Sequence, residues 1–188
     1  MKAMRLLRAT IFKVLFLLIF VFSFSCKRKE HQKINPLKSE TFNKNDTEQA
    51  ETYFFITVAN VSNSIISKSK IAQQKRSENS IQELSKKIEN QQNQLLQTVN
   101  EMANKRLIII TDINAAHKRD LYKLIDTNDS NFNTTFLNLI SEDLSEQIKV
   151  FEKISTETND ETILKLVLQY LPQQYELIRE IETIKNRV

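Results

Sequence analysis

Few residues in this chain could carry chemistry. His117 shares an apolar stripe with Ile113 and Leu121, where an imidazole could accept a proton or respond to pH. The plainer reading, a hydrogen-bonded histidine at the edge of a core, is preferred. The other histidine, His31, sits in a polar stretch far upstream. Neither has a glutamate three residues before it, so the paired Glu-x-x-His arrangement that brings a carboxylate and an imidazole to one ion is absent. Glu142, Asp143 and Glu146 lie close together and could contribute to a hard-cation site, although a solvated acidic face is the preferred reading. A chain without glycine has no Gly-rich phosphate loop, and its Ser and Thr residues lack the His and Asp constellation of a nucleophilic triad. No catalytic, cofactor-binding or metal-ligating residue is therefore assigned. The expectation is a protein that is not an enzyme and needs no cofactor.

The exception is Cys26, the single cysteine, which closes an apolar run from Val14 to Phe24 and precedes Lys27, Arg28 and Lys29. The first 25 residues hold Lys2, Arg5, Arg8 and Lys13, no acidic residue, and a small-residue end at Ser25, the order of a secretory signal. The run is about half to two thirds of the roughly 20 residues a membrane-crossing helix needs. Ser25 before Cys26 resembles the bacterial lipobox, in a relaxed form like that of Bacteroidetes-type lipoproteins, since Phe24 and Ser23 depart from the stricter pattern. Lipidation of Cys26 by palmitate-type chains is expected. The alternatives are an uncleaved signal anchor or a buried structural cysteine. A lone cysteine cannot close an intramolecular disulfide, and acylation accounts for the odd thiol. Several acyl chains, at about 0.8 kcal/mol per buried methylene, hold a protein at a membrane.

Cleavage before Cys26 changes the electrostatics. The full chain has 27 basic and 23 acidic residues, and losing the four basic ones of the leader leaves the mature chain neutral. Residues 27–45 keep a local excess of four positive charges, so the remainder is acidic by the same amount. The basic stretch could engage anionic headgroups at about 1 kcal/mol per residue, or could simply keep a tether extended. A basic face with interleaved aromatics, as nucleic-acid binding requires, is absent.

Positioning falls to helices. Residues 26–46 are polar, carry Pro36 and show no hydrophobic period, so they read as a flexible basic tether between a signal peptide (1–25) and a domain at 47–188. With no glycine available for tight β-turns, helices joined by Asn, Asp, Ser and Thr turns are predicted. The period places a first helix from a cap at Asp46 or Thr47 to about Lys75, with Asn60 and Asn63 on its inner stripe. A second, through Ile81, Leu84, Ile88, Leu95, Val99 and Met102, opens with a capping box of Ser80 and Glu83. The run Leu107–Ile110 favours extended chain and predicts a short buried connector. A brief helix follows from Thr111 or Asp112 through His117 to Leu124. A fourth buries Phe132, Phe136, Leu139, Ile140, Ile148, Phe151 and Ile154. A last helix opens on a Thr158 and Glu161 box, turns Leu164, Val167, Leu168, Leu171, Tyr175, Ile178 and Ile181 inward, and is kinked or split by Pro172. The predicted fold class is all-α, an antiparallel four-helix bundle with one extra short helix.

Taken together, these segments resemble a family of exported bacterial ferritin-like domains, domain of unknown function 4142. The resemblance runs over about residues 48–185: ETYFFITVA at Glu51–Ala59, Ser80 to Leu96, His117 with Leu121 and Leu124, Phe132 with Phe136, the Val150–Lys153 stretch, and the Leu171–Pro172 pair. Members often carry histidines where this chain has Gln91, Leu144 and Leu177, and only Asp143 keeps its type. The resemblance thus implies a ferritin-like bundle that has lost its polar cluster. The function expected is a membrane-anchored envelope lipoprotein with an interaction or structural role, on the periplasmic face of the outer membrane. Its partners would be the membrane and an envelope protein, with no nucleic acid and no metal. A periplasmic small-ligand-binding bundle and a degenerate metal-dependent enzyme are the alternatives.

Overall fold

The computed structural model describes residues 36–75, 78–111 and 114–187, with side chains from residue 45 onward. Cys26, the signal and the first part of the tether lie outside the described residues. Five helices follow one another: α1 (Pro36–Gln74), α2 (Asn79–Lys105), α3 (Ala115–Asp126), α4 (Asp129–Glu157) and α5 (Glu161–Lys185). Among the described residues there is no strand, and no helix is long and apolar enough to cross a membrane. The chain divides between Glu40 and Thr41, and the bundle is the unit that begins at Thr41.

Two apolar clusters fill this unit, and the order in which each helix meets them gives the topology. One joins Phe54, Phe55 and Val58 of α1 with Leu95 and Val99 of α2, Phe151 of α4 and Ile163 of α5. The other joins Ile65 of α1 with Ile81 and Ile88 of α2, Leu124 of α3, Phe136 of α4 and Leu177 of α5. α1 and α5 pass from the first cluster to the second, while α2 and α4 pass from the second to the first. Consecutive long helices are thus antiparallel within each pair, but α2 and α4 run the same way. The link between them must return along the bundle, and the connector after α2 together with α3 makes that crossing. One long crossover between two antiparallel pairs is the ferritin-like arrangement. Burying a Phe, Leu or Ile in these clusters contributes about 1.5–3 kcal/mol each.

Helix ends depart from the predicted caps in instructive ways. α1 starts at Pro36, well before Asp46 or Thr47, inside the segment read as tether. Proline supplies a pre-set φ at a first helical position, and no glycine or second proline interrupts the residues after it. α2 is capped by the backbone of Glu78 with no side-chain bond, so Ser80 lies within the helix and the Ser80 and Glu83 box does not form. Asn114 caps α3 by accepting from the His117 amide, and Asn128 caps α4 by accepting from the Asn131 amide. At α5 the cap is Asp160, which accepts from the amides of Thr162 and Ile163. Thr158, expected in that role, instead accepts from the Asp160 amide and donates to Glu51. Short Asn and Asp side chains thus do at the turns what glycine does elsewhere.

Two packing expectations change. α5 is continuous through Pro172, and its buried line is Ile163, Leu166, Tyr170, Gln174, Leu177 and Ile181 together with Val167. Leu168 and Tyr175, expected inward, are exposed. The connector after α2 is only half buried: Leu107 and Ile109 face solvent, while Ile108 and Ile110 pack on the first cluster. That alternation is the period of extended chain.

Candidate functional site

The interior turns polar at two places, one within the second apolar cluster and one between the two clusters. The first is a charged group beneath α3. Lys68 of α1 is fully buried, and its Nζ donates to Asp143 Oδ2 of α4 at 2.8 Å. Ser64, one helical turn earlier, donates to the same oxygen at 3.0 Å. From α3, Asp120 stands 3.6 Å from the Lys68 ammonium, and His117 Nδ1 stands 3.6 Å from Asp143 Oδ1. His117 is on the first turn of α3, held there by the Asn114 cap, and its Nε2 is buried with no partner among the described residues. His117, Asp120 and Asp143 bring one ligand-type atom each to within 4.8 Å of one another. Asp120, the most accessible member, is the group's edge toward solvent.

The second is a layer of neutral groups, one from each long helix: Ser62, Gln92, Gln147 and Gln174, all fully buried. Ser62 donates to Gln92 Oε1 at 2.9 Å. The Gln92 amide donates to Gln147 Oε1 at 3.0 Å and to Gln174 Oε1 at 2.9 Å. Gln147 returns a bond to Ser62 at 3.0 Å, which closes the ring. Gln174 Nε2 is left over.

The fate of the residues singled out from sequence is mixed. His117 is at the core edge as expected, but its ring makes no hydrogen bond among the described residues: Nδ1 stands 3.6 Å from Asp143 and Nε2 has no partner. Asp143 does not join Glu142 and Glu146, which stay exposed while it turns inward to Lys68. Asn60 bonds the Ile56 carbonyl of its own helix rather than a facing helix. Leu144 and Leu177, where the resemblance led to an expectation of histidine in family members, are core residues of the second cluster, and Gln91 is half-buried. Lys68, Ser64, Asp120 and the amide layer were missed. A signal existed for the layer: Gln92 sits on the stripe of Leu84, Ile88, Leu95 and Val99, and Gln174 lies between Tyr170 and Leu177. Buried lysine is rare enough that Lys68 has no such signature.

A ferritin-type metal centre does not fit these residues. The position central to the four long helices holds amides and a hydroxyl in place of carboxylates and imidazoles, and the buried carboxylate of Asp143 already faces the chain's own ammonium.

A family profile matches residues 37–184, most of the chain. The chain belongs to the family described as Domain of unknown function (DUF4142). The crossover topology accords with the ferritin-like fold expected of DUF4142. A crystal structure of a DUF305 fragment from Deinococcus radiodurans superposes on this DUF4142 chain with a TM-score of 0.67, covering 74% of this chain and 97% of that one. At 14% identity the likeness is one of fold. No curated protein matches the chain.

Proposed function

We propose that this DUF4142 chain is an envelope lipoprotein, attached through Cys26 to the periplasmic face of the outer membrane, whose bundle holds a protein partner rather than transforming a substrate. The observation that carries this reading is that Lys68, Ser64 and Asp143, and the amides of the central layer, are bonded to one another, with His117 Nε2 and Gln174 Nε2 among the few buried polar atoms left over. A general acid or base must reach a reacting proton within hydrogen-bond distance. Asp143 gives one oxygen to both Lys68 and Ser64, and its other faces His117. The amides of the central layer bond across helices, an arrangement that fixes register. Large apolar side chains are meanwhile left outside, Leu107 at 90%, Ile109 at 81% and Leu168 at 75% exposure, as suits a surface that meets other molecules.

The test has two arms. Labelling cells with a tagged fatty acid should mark the full chain and leave a Cys26→Ser variant unmarked and released from the membrane fraction. Affinity capture of the full chain from solubilised envelopes should recover one partner in fixed ratio. Capture of the chain alone, in membranes that retain it, would argue against an interaction role.

A further inference from the structure

The group beneath α3 holds three metal-ligand side chains whose supports are already in place. His117 and Asp120 are three residues apart on α3, so an imidazole and a carboxylate leave the same face of the helix about one turn from each other. Asp143 meets them from α4, with its Oδ1 3.6 Å from His117 Nδ1. Two ligands at about 2.0–2.2 Å from one tetrahedral ion are themselves roughly 3.3–3.6 Å apart, so this pair already has the spacing of neighbours in one coordination shell. A ligand-type atom of Asp120 lies within 4.8 Å of one on each of the others, and closing by about 1 Å would bring it in. Two further observations separate this group from an ordinary acidic cluster. His117 is only 4% exposed, yet its ring makes no hydrogen bond among the described residues. Asp143 is oriented from behind, because its Oδ2 accepts from Lys68 Nζ at 2.8 Å and from Ser64 Oγ at 3.0 Å, which leaves Oδ1 toward His117. Carboxylates that ligate metals are held by outer partners in this way.

We propose that His117, Asp120 and Asp143 bind one divalent transition ion of the Zn²⁺ type, and that the ion pins α3 to the bundle. The imidazole supplies a neutral ring nitrogen, the aspartates supply an oxygen each, and water on the open side of Asp120 completes the shell. Mixed nitrogen and oxygen donors select such an ion over Mg²⁺ and Ca²⁺, which take oxygen ligands. Charge points the same way. Lys68 offsets one of the two carboxylates, so with a neutral His117 the group keeps one negative charge at a place where Lys68 and Asp143 are almost wholly covered. The Lys68 ammonium sits on Oδ2, and the ion takes Oδ1. This position is separate from the centre a ferritin uses, which here is the amide layer that includes Gln147, one turn along α4 from Asp143. The role is structural and follows from how little else holds α3. Among its residues only His117 and Leu124 are buried. Lys75 bonds the carbonyls of Ile125 and Thr127 at the far end, whereas the near end depends on His117 and Asp120. An ion there fastens the crossover over Lys68.

The test titrates the full chain with Zn²⁺ and with Co²⁺, whose visible spectrum reports its ligands. The chain carries Cys26→Ser, so that the thiol takes no metal, and no histidine tag. One equivalent should bind saturably, with Co²⁺ bands of nitrogen and oxygen donors. At a hundredfold excess over its dissociation constant, Zn²⁺ should raise the melting midpoint by about 5–10 °C, and amide exchange along α3 should slow. Asp120→Asn, at the solvent edge, should melt as the metal-free parent does and bind roughly tenfold more weakly or worse. His117→Ala should lose the site. Lys68→Met, which removes a competing charge, should bind the ion more tightly than the parent and gain a larger rise in melting midpoint from it. The absence of saturable binding would overturn the assignment, as would Mg²⁺ binding as tight as that of Zn²⁺. So would binding that survives Asp120→Asn or His117→Ala unchanged, exchange along α3 that ignores the ion, or a Lys68→Met chain that binds no better than the parent.

Discussion

Lys68 and Asp143 form the residue-scale centre of this protein, a buried pair whose removal should be asymmetric. Taking one member away strands the other charge in a dry interior, so Lys68→Ala should cost about 3–5 kcal/mol. Replacing both, as Lys68→Met with Asp143→Leu, should cost far less or stabilise. Urea unfolding of the single and double variants checks this, and equal losses in both would count against the pair. Asp160 gives a pH-dependent term at the same scale. The Thr162 hydroxyl first, then Arg106 and the amides of Thr162 and Ile163, hold its carboxyl below the usual carboxylate range against partial burial. A group lowered on folding stabilises fully above its unfolded value, about 3.9, and loses that contribution as pH falls toward the folded value. Asp160→Asn should therefore be less stable than the parent near neutrality and should narrow the gap below about pH 4, as read by denaturant melts across that range. His117 is visible in the sequence on an apolar stripe, whereas Asp143 reads with Glu142 and Glu146 as a solvated acidic face. Lys68, which pairs with Asp143, is not visible, because nothing local marks a lysine that a crossing helix will cover.

At the scale of elements, the chain's lack of glycine is felt most at the end of α2. Leu107 occupies a left-handed conformation that costs a side-chain-bearing residue about 1–2 kcal/mol, and at 90% exposure its side chain contributes little burial in return. Leu107→Gly should raise stability by about 0.5–1 kcal/mol after the extra entropy of glycine is deducted. A higher midpoint in thermal unfolding would show it, and a lower one would mean that Leu107 packs on something. The amide layer should be as sensitive as the ion pair. Gln92→Leu strands Gln147 and Gln174 and should cost about 1–3 kcal/mol despite adding apolar surface, measurable by denaturant melts. The inner face of α4 was legible because its apolar residues form one stripe, and every residue assigned inward there is buried. α5 was not, because it is apolar over a wider arc. Leu164, Leu168, Leu171 and Tyr175 match a helical period as well as the true core line does, and only the neighbouring helices choose between them.

For the whole molecule, composition and period were enough for an all-helical domain, and the resemblance to relatives pointed to the ferritin-like arrangement. The direction of the chain through the two apolar clusters adds the crossover, which sequence period alone does not contain. That crossover covers the Lys68 and Asp143 pair with α3 and leaves the side chains of Leu107 and Ile109 exposed. A bundle whose polar interior is largely bonded to itself and whose exterior is apolar at selected places accords with the interaction role proposed above. The most direct measurement is the mass of the full chain extracted from envelopes in mild detergent, with and without prior cross-linking. The account predicts an acylated chain in a discrete complex with a second protein, and a Cys26→Ser chain in the soluble fraction without it. An unmodified Cys26, or an acylated chain whose mass is that of one copy alone, would contradict it.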